Sequence, residues 1–163
     1  MSDADLAVLR RQLGRPARGV LGIAARCVCG NPTVVATAPR LPDGTPFPTF
    51  YYLTHPAATA AMSALEAGHV MPELLAEVEA DPELISAYRR AHEQYLADRA
   101  QFGEVPEIAG ISAGGMPTRV KCLHALAAHA LAAGPGVNPV GDAALSRAAW
   151  SSEVCACPPE ESG

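Results

Sequence analysis

The chain has 163 residues, of which 49% are hydrophobic and 18% charged, and its formal net charge is −5. This composition excludes a wholly disordered chain and argues against a dedicated nucleic-acid-binding protein, which usually carries a basic balance or stripe. No apolar run approaches the ~20 residues that span a bilayer, and the acidic N-terminus lacks a signal-peptide core. We therefore expect a cytoplasmic protein without membrane insertion.

The first third of the chain predicts one helix and a small antiparallel sheet. Ser2 and Asp5 have the spacing of a capping box before a helix that runs to Leu13. Runs of β-branched and aromatic residues predict three strands, and turn residues between the first two favour a hairpin. The predicted strands span residues 19–26, 33–37 and 49–54.

The remaining two thirds predict helices, several of them opened by a proline in the first turn. Their expected starts are residues 56, 72, 82 and 117, with a last short helix capped by Asp142. The helix at 117–133 is apolar nearly all round, which is typical of a buried central helix. We therefore predict one α+β domain over 1–150, with about three antiparallel strands covered by helices, and a flexible C-terminal tail over 151–163.

Charge is unevenly distributed along the chain. Residues 56–107 carry ten acidic side chains against three arginines. Most such runs are simply solvated faces, but these acidic helices also offer a surface for a protein partner. The oligomeric state stays open.

Lys121 is the lone lysine in a chain that has eleven arginines, and it stands beside Cys122. An ammonium group can lose its proton under conditions where a guanidinium does not. We therefore count Lys121 as a candidate catalytic residue together with Cys122 and His124.

Four residues stand at or near the ends of predicted elements that must converge in one core, namely Cys27, His55, Cys122 and His124. Two thiolates and two imidazoles can bind zinc tetrahedrally or, less commonly, hold an iron–sulfur cluster. Cys122 and His124 point about 200° apart on a regular helix, so they share an ion only if the helix begins near Cys122 or is distorted. A metal-free thiol site and purely structural roles remain the alternatives.

A glycine pair, Gly114-Gly115, precedes the predicted helix at 117. Free backbone amides and the positive end of a helix favour an anion at such a position. With Arg119 and Arg40 these glycines form a candidate phosphate or carboxylate pocket. The alternative is that the glycines only turn the chain.

Three short sequence motifs carry a family resemblance. They are Arg26-Cys27 leading to Gly30-Asn31-Pro32, the run Gly44-Thr45-Pro46-Phe47-Pro48-Thr49, and Lys121-Cys122-Leu123-His124. From about Leu6 to Trp150 the chain resembles an actinobacterial member of DUF501, a family of uncharacterised bacterial proteins. The resemblance implies no activity. It places Cys27, Cys122 and His124 in the family pattern, with cysteine frequent at the position of His55, and leaves out Cys29, Cys155 and Cys157.

Two functional hypotheses follow. The first is a metal- or thiol-dependent enzyme that acts on a small anionic substrate through the Cys/His residues named above. The second is a noncatalytic adaptor linked to cell division or envelope assembly, because genes of the resembled family lie near one for a septum-formation initiator.

Overall fold

The computed structural model describes residues 1–159 of the chain. In this part, six α-helices pack with a three-stranded antiparallel sheet, which confirms the predicted α+β class. No helix there combines the length and the apolar character that a membrane crossing needs. The helices are α1 (Asp3–Leu13), α2 (Pro56–Ala67), α3 (Val70–Glu79), α4 (Pro82–Ala100), α5 (Leu123–Ala133) and α6 (Pro139–Arg147), and the strands are β1 (Val20–Arg26), β2 (Pro32–Thr37) and β3 (Tyr51–Leu53).

The sheet has the order β1-β2-β3, so β2 is the central strand and is buried over most of its length. The β1–β2 hairpin closes at a tight turn, where Cys27 N–H donates to the Asn31 carbonyl over 2.8 Å. Gly30 N–H returns a bond of 2.8 Å to the Cys27 carbonyl. These bonds fix the turn that presents Cys27 and Cys29 at one end of the sheet.

Helix α1 is fastened to the sheet by a charged pair. The capping box predicted at its start is present, with Ser2 and Asp5 each accepting a backbone amide of the other. Asp5 also accepts two bonds from the Arg26 guanidinium, over 2.7 and 3.1 Å. The Arg26 guanidinium holds the pKa of Asp5 well below its usual range. One carboxylate thus stabilises both the helix start and the contact between α1 and β1.

Helix α5 is the buried central helix, but it begins at Leu123 and not at Pro117. The segment before it folds as a loop, in which Arg119 N–H donates to the Gly115 carbonyl and Lys121 N–H to that of Gly114, over 2.8 and 2.7 Å. Gly115 has φ +94, and an added Cβ would lie 2.8 Å from the Arg119 carbonyl oxygen. This closed loop uses the backbone that a helix from Pro117 would need.

Helix α6 begins at Pro139, and its cap is Asn138, whose side chain accepts from Gly141 N–H. Asp142, the predicted cap, lies inside the helix and accepts instead from Gly136 N–H over 2.9 Å. The buried amide of Asn138 also bonds His129 of α5 over 3.1 Å. Asn138 followed by Pro139 is a capping residue before a first-turn proline, so the local sequence also favours this start over Asp142.

Candidate functional site

The four residues predicted as one metal set do not come together. Cys27 lies with three other cysteines, Cys122 and His124 lie with Glu66, and His55 touches only the first group through Cys157. The prediction assumed that all element ends meet at one point. The ends instead meet at two places, one at the hairpin turn and one at the start of α5.

The first place is the cysteine cluster, formed by Cys27, Cys29, Cys155 and Cys157, whose sulfur atoms all lie within 4.8 Å of one another. The sulfur atoms of Cys29 and Cys157 are separated by 3.5 Å. The C-terminal segment reaches the hairpin because Val28 N–H donates to the Ser152 carbonyl over 2.9 Å. These four cysteines are close enough together to hold one metal ion.

The thiols of the cysteine cluster differ in acidity. A hydrogen bond from the Asn31 backbone lowers the pKa of Cys29 to about 7. Burial raises the pKa of Cys27, and burial raises that of Cys157 to about 12. Negative charge is therefore accommodated at the turn and disfavoured deeper in the cluster, where a thiolate needs a nearby cation.

His55 lies beside the cluster with its ring nitrogens in two different roles. It is the N-cap of α2, and its Nδ1 accepts from Ala58 N–H over 3.4 Å. With Nδ1 as acceptor, the neutral ring carries its hydrogen on Nε2, which lies 3.1 Å from the Cys157 sulfur. Burial lowers the pKa of His55, which favours this neutral form. A cleft of about 720 Å³, lined by Arg11, Gln12 and Asn31 among others, opens next to the ring.

The second place is the thiol–imidazole site, formed by Cys122, His124, Glu66 and Ser63. Cys122 is the N-cap of α5, with an extended backbone at φ −149. The helix thus begins directly after Cys122, an arrangement in which Cys122 and His124 can face the same point. The Cys122 sulfur, a His124 nitrogen and a Glu66 oxygen lie within 4.8 Å of one another.

Helix α2 orients the imidazole of this site from the opposite side. Glu66 Oε1 lies 3.1 Å from His124 Nδ1 and also accepts from Leu123 N–H over 2.8 Å. Ser63 Oγ lies 3.1 Å from His124 Nε2. The His124 and Glu66 side chains are 27% and 26% exposed, so a small molecule can reach them.

The neighbours of Cys122 and His124 favour their charged forms. Interaction with the imidazole lowers the pKa of the Cys122 thiol against the opposing effect of burial. Interaction with this thiol, together with the Glu66 carboxylate, raises the pKa of His124 to about 9. Both shifts favour the thiolate–imidazolium form of the pair, the state in which a cysteine is a strong nucleophile.

The residues of the predicted anion pocket are spread along the surface. Arg40 pairs with Glu107 over 2.8 Å and bonds the Gly44 carbonyl over 2.7 Å. Arg119 and Lys121 have exposed side chains at the end of the glycine loop that leads to Cys122. The positive helix end expected after Gly114-Gly115 lies farther along, at Cys122. Lys121, the candidate catalytic amine, is exposed to solvent and lies next to Cys122.

Sequence reasoning missed Glu66, Cys29, Cys155 and Cys157. Two Cys-x-Cys pairs, at 27–29 and 155–157, were the available signal for the cluster, since such pairs are common metal-ligand spacings. Glu66 gave no local signal. It faces α5 because of how α2 packs, and only the tertiary structure brings it to His124.

Of the comparisons with known proteins, the one with protein families gave a match. Comparisons with curated proteins and with solved structures gave no match. The model of the family DUF501, whose description reads protein of unknown function, matches residues 23–146. That span contains the whole thiol–imidazole site and half of the cysteine cluster, while Cys155 and Cys157 lie beyond it. The match covers well over half of the sequence, and the chain belongs to the DUF501 family.

Proposed function

We propose that this protein is a thiol-dependent enzyme that acts on a small anionic substrate at the thiol–imidazole site. Cys122 is the nucleophile, His124 exchanges the proton, and Glu66 orients the imidazole. The observation that carries the proposal is the convergence of these three groups at the start of α5, within 4.8 Å of one another. A nucleophile, a base and a third group that orients the base form the minimal arrangement for covalent catalysis.

The chemistry follows from the ionised pair. The Cys122 thiolate forms a bond to an electrophilic carbon of the substrate, and the bond from that carbon to its leaving group breaks with its electron pair. The His124 imidazolium donates its proton to the departing group. Water, deprotonated by the now neutral imidazole, then displaces the sulfur and restores the thiolate.

Three charges favour an anionic substrate. The N-terminal end of α5 carries the positive end of the helix dipole, and Cys122 lies at that end. Lys121 adjoins Cys122, and Arg119 lies two residues before it, both with exposed side chains. A carboxylate or phosphate bound there would meet cations that are free to reorient towards it. The neighbouring Glu66 limits the size of this effect.

The substrate class can be tested with two alkylating agents that differ in charge. Cys122 should react with both iodoacetate and iodoacetamide, as followed by mass spectrometry of its peptide. Lys121→Gln should lower the rate with iodoacetate, the anionic reagent, about fivefold relative to the rate with neutral iodoacetamide. This is the effect of the ~1 kcal/mol that one nearby charge contributes. Lys121→Arg is the matched control and should keep the ratio of the two rates.

The outcomes separate the two parts of the proposal. An unchanged ratio in Lys121→Gln contradicts the anionic substrate. A Cys122 that reacts no faster in the folded chain than in the chain unfolded by guanidinium chloride contradicts the thiol-dependent enzyme and favours the noncatalytic adaptor.

A further inference from the structure

We propose that the cysteine cluster is a zinc site that fastens the C-terminal segment to the β1–β2 hairpin. The site is independent of the activity proposed at Cys122. Its ligands are the sulfur atoms of Cys27, Cys29, Cys155 and Cys157, which come from the two distant Cys-x-Cys pairs. A four-cysteine set is a common closed ligand set for structural zinc.

The spacing of the sulfurs indicates one ion. With zinc–sulfur bonds of about 2.3 Å, the corners of a tetrahedron are separated by about 3.8 Å. The four sulfurs lie within 4.8 Å of one another, and one pair is already at 3.5 Å, so only small movements are needed. An iron–sulfur cluster distributes its cysteines over several iron atoms and holds them farther apart. The four cysteine sulfurs therefore lie too close together to hold an iron–sulfur cluster.

The surroundings of the cluster fit a thiolate-bound ion. Nε2–H of His55 lies 3.1 Å from the Cys157 sulfur, and its Nδ1 is held by Ala58 N–H. His55 is 1% exposed, so its ring is shielded from bulk solvent. A buried N–H aimed at a ligand sulfur orients that ligand and stabilises its negative charge. His55, predicted as a ligand, thus supports one instead.

Zinc binding would hold the C-terminal segment, residues 151–159, against the β1–β2 hairpin. Besides the cysteines, the described contacts that hold residues 151–159 to the hairpin include one backbone bond, from Val28 to Ser152. This segment also lines the cleft beside His55, through Cys157, Pro158 and Pro159. Zinc would fix the segment in that position and so complete one wall of the cleft.

The test is elemental analysis of the full chain, purified under reducing conditions without chelator. We expect about one zinc per chain. Cys29→Ser and Cys155→Ser should each lose it, and both should fold because the two side chains are exposed. Cys122→Ser is the matched control, which should keep the zinc. Circular dichroism verifies the folding of all three variants.

Trp150, the single tryptophan, provides a second readout. Its ring lies 5.3 Å from that of His55 and is 7% exposed. Removing zinc from the wild-type chain should shift its emission to longer wavelength, and added zinc should restore it, in wild type but not in Cys155→Ser. Loss of zinc in Cys122→Ser, absence of any bound metal, iron in place of zinc, or disulfide-linked cysteines in the reduced preparation would each overturn the proposal.

Discussion

His129 is the most buried titratable side chain of α5. It stacks on Tyr51 with 5.6 Å between ring centroids, lies edge-on to Tyr95 at 5.1 Å, and bonds Asn138 through Nδ1. Its side chain is fully buried. Burial lowers the pKa of His129 to about 4. The core therefore accepts this histidine only in its neutral form.

Stability should consequently depend on pH through His129. Its ordinary pKa is about 6.5, so below that pH the unfolded chain takes up a proton that the folded chain refuses until about pH 4. The free energy of unfolding should fall over this window, by up to about 3 kcal/mol from this group. His129→Gln should flatten the dependence in urea titrations between pH 7 and 4.

The control for that experiment is His69→Gln, because His69 is exposed on the surface. It should leave the pH dependence of wild type intact. Equal slopes in wild type and His129→Gln would show that the buried imidazole does not govern acid stability.

The two candidate sites also differ in how far single residues could reveal them. Cys122 and His124 could be paired from the sequence because they lie two positions apart in one short motif. The sequence also indicated that a helix start near Cys122 would let them face the same point. Glu66 could not be found, since it precedes them by more than fifty residues and lies on another helix. Side chains joined only by packing leave no mark in the local pattern.

At the scale of elements, caps and prolines were good guides. The starts of α1, α2 and α4 agree with the predicted caps or first-turn prolines. Pro117 misled because the Gly114-Gly115 loop competes with the helix for the same backbone amides. The start of α6 was misplaced because the prediction placed the cap at Asp142, although Asn138 and Pro139 offer a cap and a first-turn proline four residues earlier.

The contact between α5 and α6 yields an element-scale prediction. A Cβ on Gly141 would overlap the backbone carbonyl of Leu126 in α5 and press on Ala130. Gly141→Ala should therefore force the helices apart and lower the free energy of unfolding by about 1–3 kcal/mol, the usual cost of overpacking. Chemical denaturation measures this directly.

Gly22 offers the matched control, because a Cβ added there meets no atom within 4 Å and the backbone needs no left-handed conformation. Gly22→Ala should change stability by no more than about 0.5 kcal/mol. A Gly141→Ala variant as stable as Gly22→Ala would mean that α6 can move away from α5 without loss.

At the scale of the whole molecule, the fold class could be predicted from the sequence. The places where the ends of the helices and strands meet could not. Runs of β-branched and aromatic residues, turn residues and the apolar character of residues 117–133 sufficed to predict the small sheet and the central helix. The cysteine cluster joins residues 128 positions apart, between Cys29 and Cys157. The two Cys-x-Cys pairs indicate candidate ligands, but nothing in the local sequence shows that the two pairs meet. The predicted flexible tail over 151–163 stays a prediction, and residues 160–163 lie outside the described part.

The thiol–imidazole site is itself a property of the whole fold. Glu66 and Ser63 come from α2, Cys122 and His124 from the start of α5, and these elements meet only when the core is formed. In the unfolded chain Cys122 should regain an ordinary thiol pKa near 8.5. The contrast between folded and unfolded chain therefore isolates what the fold contributes to its reactivity.

The most direct measurement is the pH dependence of Cys122 alkylation by iodoacetamide, in the native chain and in the same chain unfolded by guanidinium chloride. The native rate should reach its plateau at a lower pH than the rate of the unfolded chain, and it should change again near pH 9, where His124 loses its proton. The second step should vanish in His124→Gln. A single native transition near pH 8.5, matching that of the unfolded chain, would contradict the account.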